Sequence, residues 1–383
     1  MNISILGAAT TKFGELWSVS PRELARTVFS EALTASNLKP QEIDALFVGN
    51  MLSGILGNQA NLGSLFAEEL GVYVPAFRLE GACASGGLAL HSGINSIRAG
   101  QYKVVMVLGI EKMTDHTQDE ITHALMAAGS DEERASGVTF PGLYALIARA
   151  YMQEYKVGEE DIASVSVKNH YHGSLNPKAQ FQAPITVEEV MKSGKIADPL
   201  RLLDCSPISD GASAIIITGD EKVKKRHSKP IQIIASEVAT DSLSLCDRKS
   251  FTSLLSVVKA GDAAYKKTGL KPEDIDVAEL HDCFSIAEVI ATEDLGFSRR
   301  GEGASDIADG KHTLNTGKII TNSSGGLKAC GHPVGATGVK QIVEIVEQLR
   351  HEAGIRQVPK ARIGLCHNVG GSGTIAVIHI LQK

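Results

Sequence analysis

The sequence predicts an α/β protein built from two similar units that face each other, with a long segment inserted in the first. Strand-length apolar runs alternate with helical patterns through the first hundred residues, a seven-residue phrase returns in the second half, and the texture changes between Asp115 and Ser209. Such alternation gives a largely parallel sheet covered by helices.

Taken in order, Ile3 to Ala8 reads as the first strand, Pro21 to Ser36 as a helix and Ala45 to Val48 as the second strand. An extended run from Val72 to Leu79 enters the small-residue stretch Gly81-Ala82-Cys83-Ala84-Ser85-Gly86-Gly87. That stretch opens a helical pattern through Ile97, and Val104 to Leu108 is the next strand. Leu38-Lys39-Pro40-Gln41-Glu42-Ile43-Asp44 then returns as Leu270-Lys271-Pro272-Glu273-Asp274-Ile275-Asp276. Each copy follows a helix and precedes an apolar strand, Ala45 to Val48 and Val277 to Leu280, and this shared flanking order favours duplication over chance. Each half also has a strongly apolar later strand, Ala214 to Thr218 and Thr374 to Leu381.

The inserted segment carries acidic, polar helices (Asp131 to Arg134, Gly158 to Asn169) and a loop-like stretch with Asn176-Pro177 and Ala183-Pro184. Since Ala214 to Thr218 reads as a strand returning to the first sheet, the segment is expected to lie over the site. The predicted units are 1–115 with 210–225, the insertion 116–209, and 226–383.

The chain's 383 residues exceed the ~250 to 300 at which single cores split. The net charge of -6 argues against a sequence-independent grip on nucleic acid, and the cationic run Lys222 to Lys229 reads as a solvated connector. No apolar run reaches the ~18 to 20 residues that cross a bilayer, so no membrane is expected. The N-terminus enters a strand without a leader, and the six cysteines show no C-x-x-C pair; a cytoplasmic location with reduced thiols is expected.

Cys83 sits where a helix's positive end would favour thiolate over thiol, as a nucleophile requires. A free cysteine is often an inert buried residue; the flanking glycines and helix-start position favour function here. His332, in the rigid Gly331-His332-Pro333 turn, is placed to take the Cys83 proton or to donate to an enolate oxygen. Gly335 and Gly338 are read as allowing close approach of a ligand. His281 and Cys283 stand two apart after strand Val277 to Leu280 and project to one side. With Cys366 and His367 they offer a zinc set by residue type, but the spacing is unlike paired zinc ligands and leaves Gly-His-Pro unexplained. No metal is predicted.

Together, Cys83-Ala84-Ser85, the Asp210-Gly211-Ala212-Ser213-Ala214 strand entry and Gly-His-Pro before Val334-Gly335-Ala336-Thr337-Gly338 resemble the thiolase family, in family order and over the whole chain. His281-Asp282-Cys283-Phe284 and Cys366-His367-Asn368-Val369-Gly370 depart from the Asn-Glu-Ala-Phe and Cys-x-Gly of common thiolases and resemble the sterol carrier protein type and archaeal members.

The resemblance implies a five-layered α-β-α-β-α core from two duplicated βαβαβαββ halves, with the insertion as a loop domain that binds coenzyme A. It implies Cys83 as acyl acceptor, His332 as its activator, His281 with His332 on the thioester oxygen, and Cys283 as the α-proton acid/base, with Cys366 and His367 as rivals. Ser206 matches a pantetheine-contacting position, and an amide from the Val369-Gly370-Gly371 loop would join that of Cys83 in a second oxyanion hole. The implied activity is acetyl-CoA C-acetyltransferase, with no cofactor beyond coenzyme A as substrate and product. A longer-chain 3-ketoacyl-CoA thiolase and a non-catalytic acyl-CoA-binding scaffold are the alternatives. A β-ketoacyl synthase-like enzyme is disfavoured by Gly-His-Pro with His-Asp-Cys-Phe. Implied partners are further copies of the chain, as a homodimer or homotetramer, and hydroxymethylglutaryl-CoA synthase with an OB-fold acyl-CoA-binding protein of the mevalonate route.

Overall fold

The computed structural model describes residues 2–383. Its strands are β1 Ile3–Thr10, β2 Ala45–Gly49, β3 Ala76–Leu79, β4 Val104–Glu111, the hairpin β5 Lys195–Ala197 and β6 Leu200–Arg201, β7 Gly211–Thr218, β8 Ile231–Thr240, β9 Val277–Glu279, β10 Ile320–Thr321, β11 Ile363–Gly370 and β12 Ile375–Gln382. Ten of them form one ladder in the order β10-β9-β11-β12-β8-β1-β7-β4-β2-β3. Each half contributes five, in the same spatial order of third, second, fourth, fifth, first. The pairings match as well: the second strand is parallel to the third and fourth, and the fifth is antiparallel to the fourth and first. The halves meet where β1 runs antiparallel to β8 through Ile3–Ile233, Ser4–Gln232 and Ile5–Ile231.

Three large cores bind five layers, the central one filling both sides of the middle helical layer. Leu24, Val28 and Phe66 of the outer helices Pro21–Ser36 and Leu62–Glu69 pack on Leu46, Met106 and Ile216 of the first sheet. Between the sheets lie helices Ser85–Arg98 and Val334–Arg350, whose Leu90, Ile94, Val339 and Ile342 meet Val107, Ile217 and Leu381. The third core joins helices Leu255–Thr268 and Ser285–Asp294 to Leu365, Ile378 and Ile380. In β7, Ile215 and Ile217 face the central layer and Ala214 and Ile216 the outer one, so a continuous apolar run fills both faces. Each fully buried Ile or Leu is worth about 1.5–3 kcal/mol. The polar side chains of the buried helix Val334–Arg350 are paired, Lys340 with Glu279 at 3.0 Å and Glu344 with Arg356 at 3.0 Å.

The repeated phrase does the same work twice. Pro40–Glu42 and Pro272–Asp274 each form a single 3₁₀ turn. The aspartates that follow, Asp44 and Asp276, each accept two backbone N–H groups at 2.8 and 2.9 Å: from Lys103 and Val104 at the start of β4, and from Arg362 and Ile363 at the start of β11. A carboxylate that pins the entry of the neighbouring strand is a local device both copies retain.

The glycines of the reactive motifs serve packing. A Cβ at Gly338 would lie 2.2 Å from Asn368 Oδ1 and 2.4 Å from Gly87 N, and one at Gly86 would lie 2.8 Å from Gly335 O. The two central helices cross there with their backbones nearly in contact. The expectation that Gly335 and Gly338 admit a ligand is therefore corrected: what they admit is backbone and the Asn368 amide.

Between β4 and β7 run five helices, Gln118–Met126, Asp131–Ser136, Phe140–Tyr155, Glu159–Ser174 and Val187–Lys192, and the β5–β6 hairpin. Two correspond to the expected polar helices; Gln118–Met126, Phe140–Tyr155 and Val187–Lys192 were not anticipated. Among the described residues, no helix is long and apolar enough to cross a membrane.

Candidate active site

After β3 the chain passes through Ala82 at φ 51°, a left-handed conformation rare for a residue with a side chain. The Ser85 hydroxyl holds this elbow, donating to Ala82 O at 2.6 Å and accepting from Gly81 N–H at 3.1 Å. Cys83 is thereby presented half-buried, just ahead of the helix. Its thiol is pushed up to about 12, first by burial and then by the Glu111 carboxylate; the Gly371 and Cys83 amides favour the thiolate but are outweighed. The expected resting thiolate is therefore corrected to a thiol, because loss of hydration exceeds the pull of the helix end.

Two imidazoles face that thiol. One ligand atom each of Cys83, His281 and His332 lies within 4.8 Å of the others, and the rings stand edge to face with centroids 5.1 Å apart. Both Nε2 atoms are buried without a hydrogen-bond partner. Their protonation follows from the opposite nitrogens. The single hydroxyl proton of Thr337 goes to Pro333 O at 3.1 Å, so its oxygen accepts from His332 Nδ1–H at 2.7 Å, leaving His332 Nε2 a bare lone pair. Asn368 Oδ1 accepts from Gly87 N–H at 3.1 Å, which turns its amide nitrogen to Cys83 O at 3.0 Å and His281 Nδ1 at 3.3 Å. His281 Nδ1 then accepts, and Nε2 carries the proton. One histidine offers a base and the other a donor.

This arrangement does not fit a zinc ion. A metal-bound imidazole gives its second N–H to an acceptor, whereas Asn368 presents a donor to His281, and flipping it would break the bond to Gly87. The Cys366 and His367 of the zinc alternative diverge as well: alternation along β11 sends Cys366 into the central core, and His367 accepts the His281 N–H at 3.2 Å.

Above the cluster lies a cavity of about 960 Å³, lined by Cys83, Cys283, His332, Tyr144, Ser206 and Gly371 among others. The Ser206 N–H donates to Cys283 O at 2.9 Å, joining the Ser206 segment to the loop after β9. Of the expected trio Val369, Gly370 and Gly371, it is Gly371 that lines the cavity. Val369 and Gly370, which pair with Ala376 and Ile375 in the ladder, are not among the lining residues, and neither is His281. Cys366 and His367 line no part of it. Asp282 turns away, accepting the Leu327 and Lys328 N–H groups at 2.6 and 3.1 Å, and so fixes the helix that leads into Gly331-His332.

Comparison with known proteins gives the family. The thiolase N-terminal domain matches residues 3–221 and the thiolase C-terminal domain-like family residues 237–383. The chain belongs to the thiolase family. It is similar to "Acetyl-CoA acetyltransferase" of Methanothermobacter thermautotrophicus, 46% identical over 100% of both chains, and of Methanocaldococcus jannaschii, 43% identical over 100% of this chain and 99% of that one. Among solved structures it resembles the "Ltp2-ChsH2(DUF35) aldolase", with TM-score 0.84 and 25% identity over 99% of this chain and 97% of the other. This thiolase is thus an enzyme, an acyltransferase.

Three residues of the site were not singled out from sequence. Asn368 lay in view in the Cys-His-Asn run, but its bridge between Cys83 and His281 needs β11 beside the Cys83 helix. Tyr144 comes from the unanticipated helix Phe140–Tyr155, with its ring 4.6 Å from Phe284. Glu111, at the end of β4, accepts N–H groups of Met51, Leu52 and Gly335 at 2.9, 3.1 and 3.1 Å, and burial pushes it up to about 7.

Burial also holds His172, His332, His367 and His379 of this thiolase down to about 3. Unfolded, each would titrate near 6.5, so between about pH 6.5 and 3 the unfolded state binds more protons than the native one. Stability is expected to fall with pH through that window, by up to about 1.4 kcal/mol per pH unit for each histidine. Urea midpoints measured at pH 7 and pH 5 check this; equal midpoints would contradict the buried neutral state.

Proposed function

We propose that this thiolase is an acetyl-CoA C-acetyltransferase, condensing two acetyl-CoA to acetoacetyl-CoA and CoA, reversibly, through an acetyl-cysteine. The observation that carries the reading is the meeting of Cys83 with two imidazoles whose Nε2 atoms are unpartnered, one bare and one protonated, beside a cavity that also holds Cys283.

Because thiol and imidazole are both neutral at rest, the Cys83 proton passes to His332 Nε2 as the sulfur attacks the thioester carbon. The amides of Cys83 and Gly371 receive the resulting oxyanion. The tetrahedral adduct expels CoA as thiolate, which takes the Cys283 proton, leaving acetyl-Cys83, a Cys283 thiolate and a His332 imidazolium. A second acetyl-CoA then binds with its thioester oxygen between His281 Nε2–H and His332 Nε2–H. Cys283 removes the α-proton, the carbanion attacks the acetyl carbon, and departing Cys83 recovers its proton from His332. Every group returns to its starting state.

A mass gain of one acetyl group mapped to Cys83 after incubation with acetyl-CoA, together with acetoacetyl-CoA formation, tests the reading. A protein that binds coenzyme A without acetylation would be a scaffold instead, and faster thiolysis of longer 3-ketoacyl-CoA would mark a longer-chain thiolase. His281→Ala is expected to lower condensation by roughly 10²–10³-fold while Cys83 acetylation persists, as rapid-quench mass spectrometry would read. The shared name of the two relatives, "Acetyl-CoA acetyltransferase", supports the condensation itself; that the protein works in the cytoplasm and feeds the mevalonate route with hydroxymethylglutaryl-CoA synthase is part of the same proposal. The second component in the structural neighbour's name, ChsH2(DUF35), supports a partner protein for this chain too, and assembly of the chain with itself is part of the same proposal.

A further inference from the structure

The mechanism leaves one species without an evident stabiliser. Once Cys283 has given its proton to departing CoA, a thiolate stands in a buried, largely apolar pocket, where an unpaired charge is costly. The charged or titratable groups facing it include Asp282 and Cys83, both of which oppose ionisation; the groups that favour it are the Phe284 amide and the Tyr144 hydroxyl.

Tyr144 is 1% exposed, and its ring is fixed against Phe284 with centroids 4.6 Å apart, yet it lines the cavity with Cys83 and Cys283. Its hydroxyl proton rests on Gly371 O at 3.3 Å, long beside the ~2.7–2.8 Å usual for O–H···O. This weak contact leaves the hydroxyl free to turn about its C–O bond.

We infer that Tyr144 is the positioning residue of the second half-reaction, its hydroxyl turning from Gly371 O to donate to the Cys283 thiolate while that sulfur awaits the α-proton. The inference rests on the reaction proposed above. The proton stays on the tyrosine oxygen throughout: burial and the two thiols hold this hydroxyl well above its ordinary pKa. The O–H therefore supplies a hydrogen bond and no proton transfer, and Cys283 remains the base.

Tyr144→Phe keeps the ring and its stacking while removing the hydroxyl. Two rates are read on the same variant: acetylation of Cys83 by rapid-quench mass spectrometry, and deuterium uptake at C2 of acetyl-CoA in D₂O. Acetylation within about twofold of wild type with exchange slowed about tenfold or more is the expected result. Equal slowing of both rates would assign Tyr144 to the Gly371 turn and overturn the inference, as would unchanged exchange. Failure of wild-type acetylation would overturn the underlying reaction instead.

A second measurement is independent of turnover. In Cys83→Ser protein, the pH midpoint for iodoacetamide alkylation of Cys283 is expected to rise by about one unit on adding Tyr144→Phe, because the lost donor had favoured the thiolate. An unmoved midpoint would refute the contact even if Tyr144→Phe folded poorly in the native background.

Discussion

Cys83→Ala is expected to give a folded protein that takes up no acetyl group and forms acetoacetyl-CoA at least about 10⁴-fold more slowly than wild type. The thiol makes no hydrogen bond that the fold depends on, and alanine is smaller, so the elbow at Ala82 and its Ser85 clasp should survive. Cys283 is no substitute nucleophile in the proposed mechanism: the Cys83 and Gly371 amides that would receive the oxyanion face residue 83, and attack elsewhere would leave the developing charge unmet in a buried cavity. Cys283→Ala should separate from it, retaining acetyl-Cys83 while losing condensation and C2 exchange. Intact-mass measurement with peptide mapping distinguishes the two. Acetylation of Cys83→Ala at another site, with turnover retained, would remove Cys83 from the mechanism.

The pattern of what sequence made visible follows from how far each property reaches. Cys83, His281, Cys283 and His332 announce themselves because each sits in a short motif at a strand end or helix start, and the duplication was legible because Asp44 and Asp276 do their work within one strand of their own phrase. The charge state of Cys83 was not legible. A helix end is a local field, but burial and Glu111 act on this thiol from other elements, and they prevail. Asn368 was hidden for the same reason. Its amide is oriented by Gly87, nearly three hundred residues away, and only that orientation decides which nitrogen of His281 carries the proton.

The choice among Cys283, Cys366 and His367 shows a finer limit. All three lie in suitable motifs, and a one-residue step along β11 sends Cys366 into the central core while His367 turns to the His281 backbone. Strand alternation was readable, but which face pointed to the site depended on where the partner sheet lay. Gly335 and Gly338 posed the same difficulty: a glycine-rich turn beside a reactive histidine suits a ligand and a helix crossing equally well until the second helix is placed.

That crossing ties the fold to the chemistry, and Gly338→Ala is expected to damage both. In an ordinary helix interior the change is stabilising by about 1 kcal/mol. Here the new Cβ would sit 2.2 Å from Asn368 Oδ1 and 2.4 Å from Gly87 N, and neither is the end of a flexible side chain: one is held by its amide bonds and the other is backbone. Relief requires the two central helices to separate, at an overpacking cost of about 1–3 kcal/mol, and breaks the Gly87 N–H to Asn368 bond. Asn368 then loses the contact that turns its nitrogen toward Cys83 O and His281 Nδ1. A displacement near 1 Å at reacting groups costs about 10²-fold in rate, so condensation should fall by at least that much at temperatures where the variant remains folded. Gly194→Ala is the control, since nothing lies within 4 Å of its added Cβ, and it should change stability by less than about 0.5 kcal/mol. Urea denaturation and turnover measured on both variants decide the matter: a Gly338→Ala protein as stable and active as the Gly194→Ala control would show that the crossing has slack, and that the tight contact between Gly87 and Asn368 does not set the catalytic geometry.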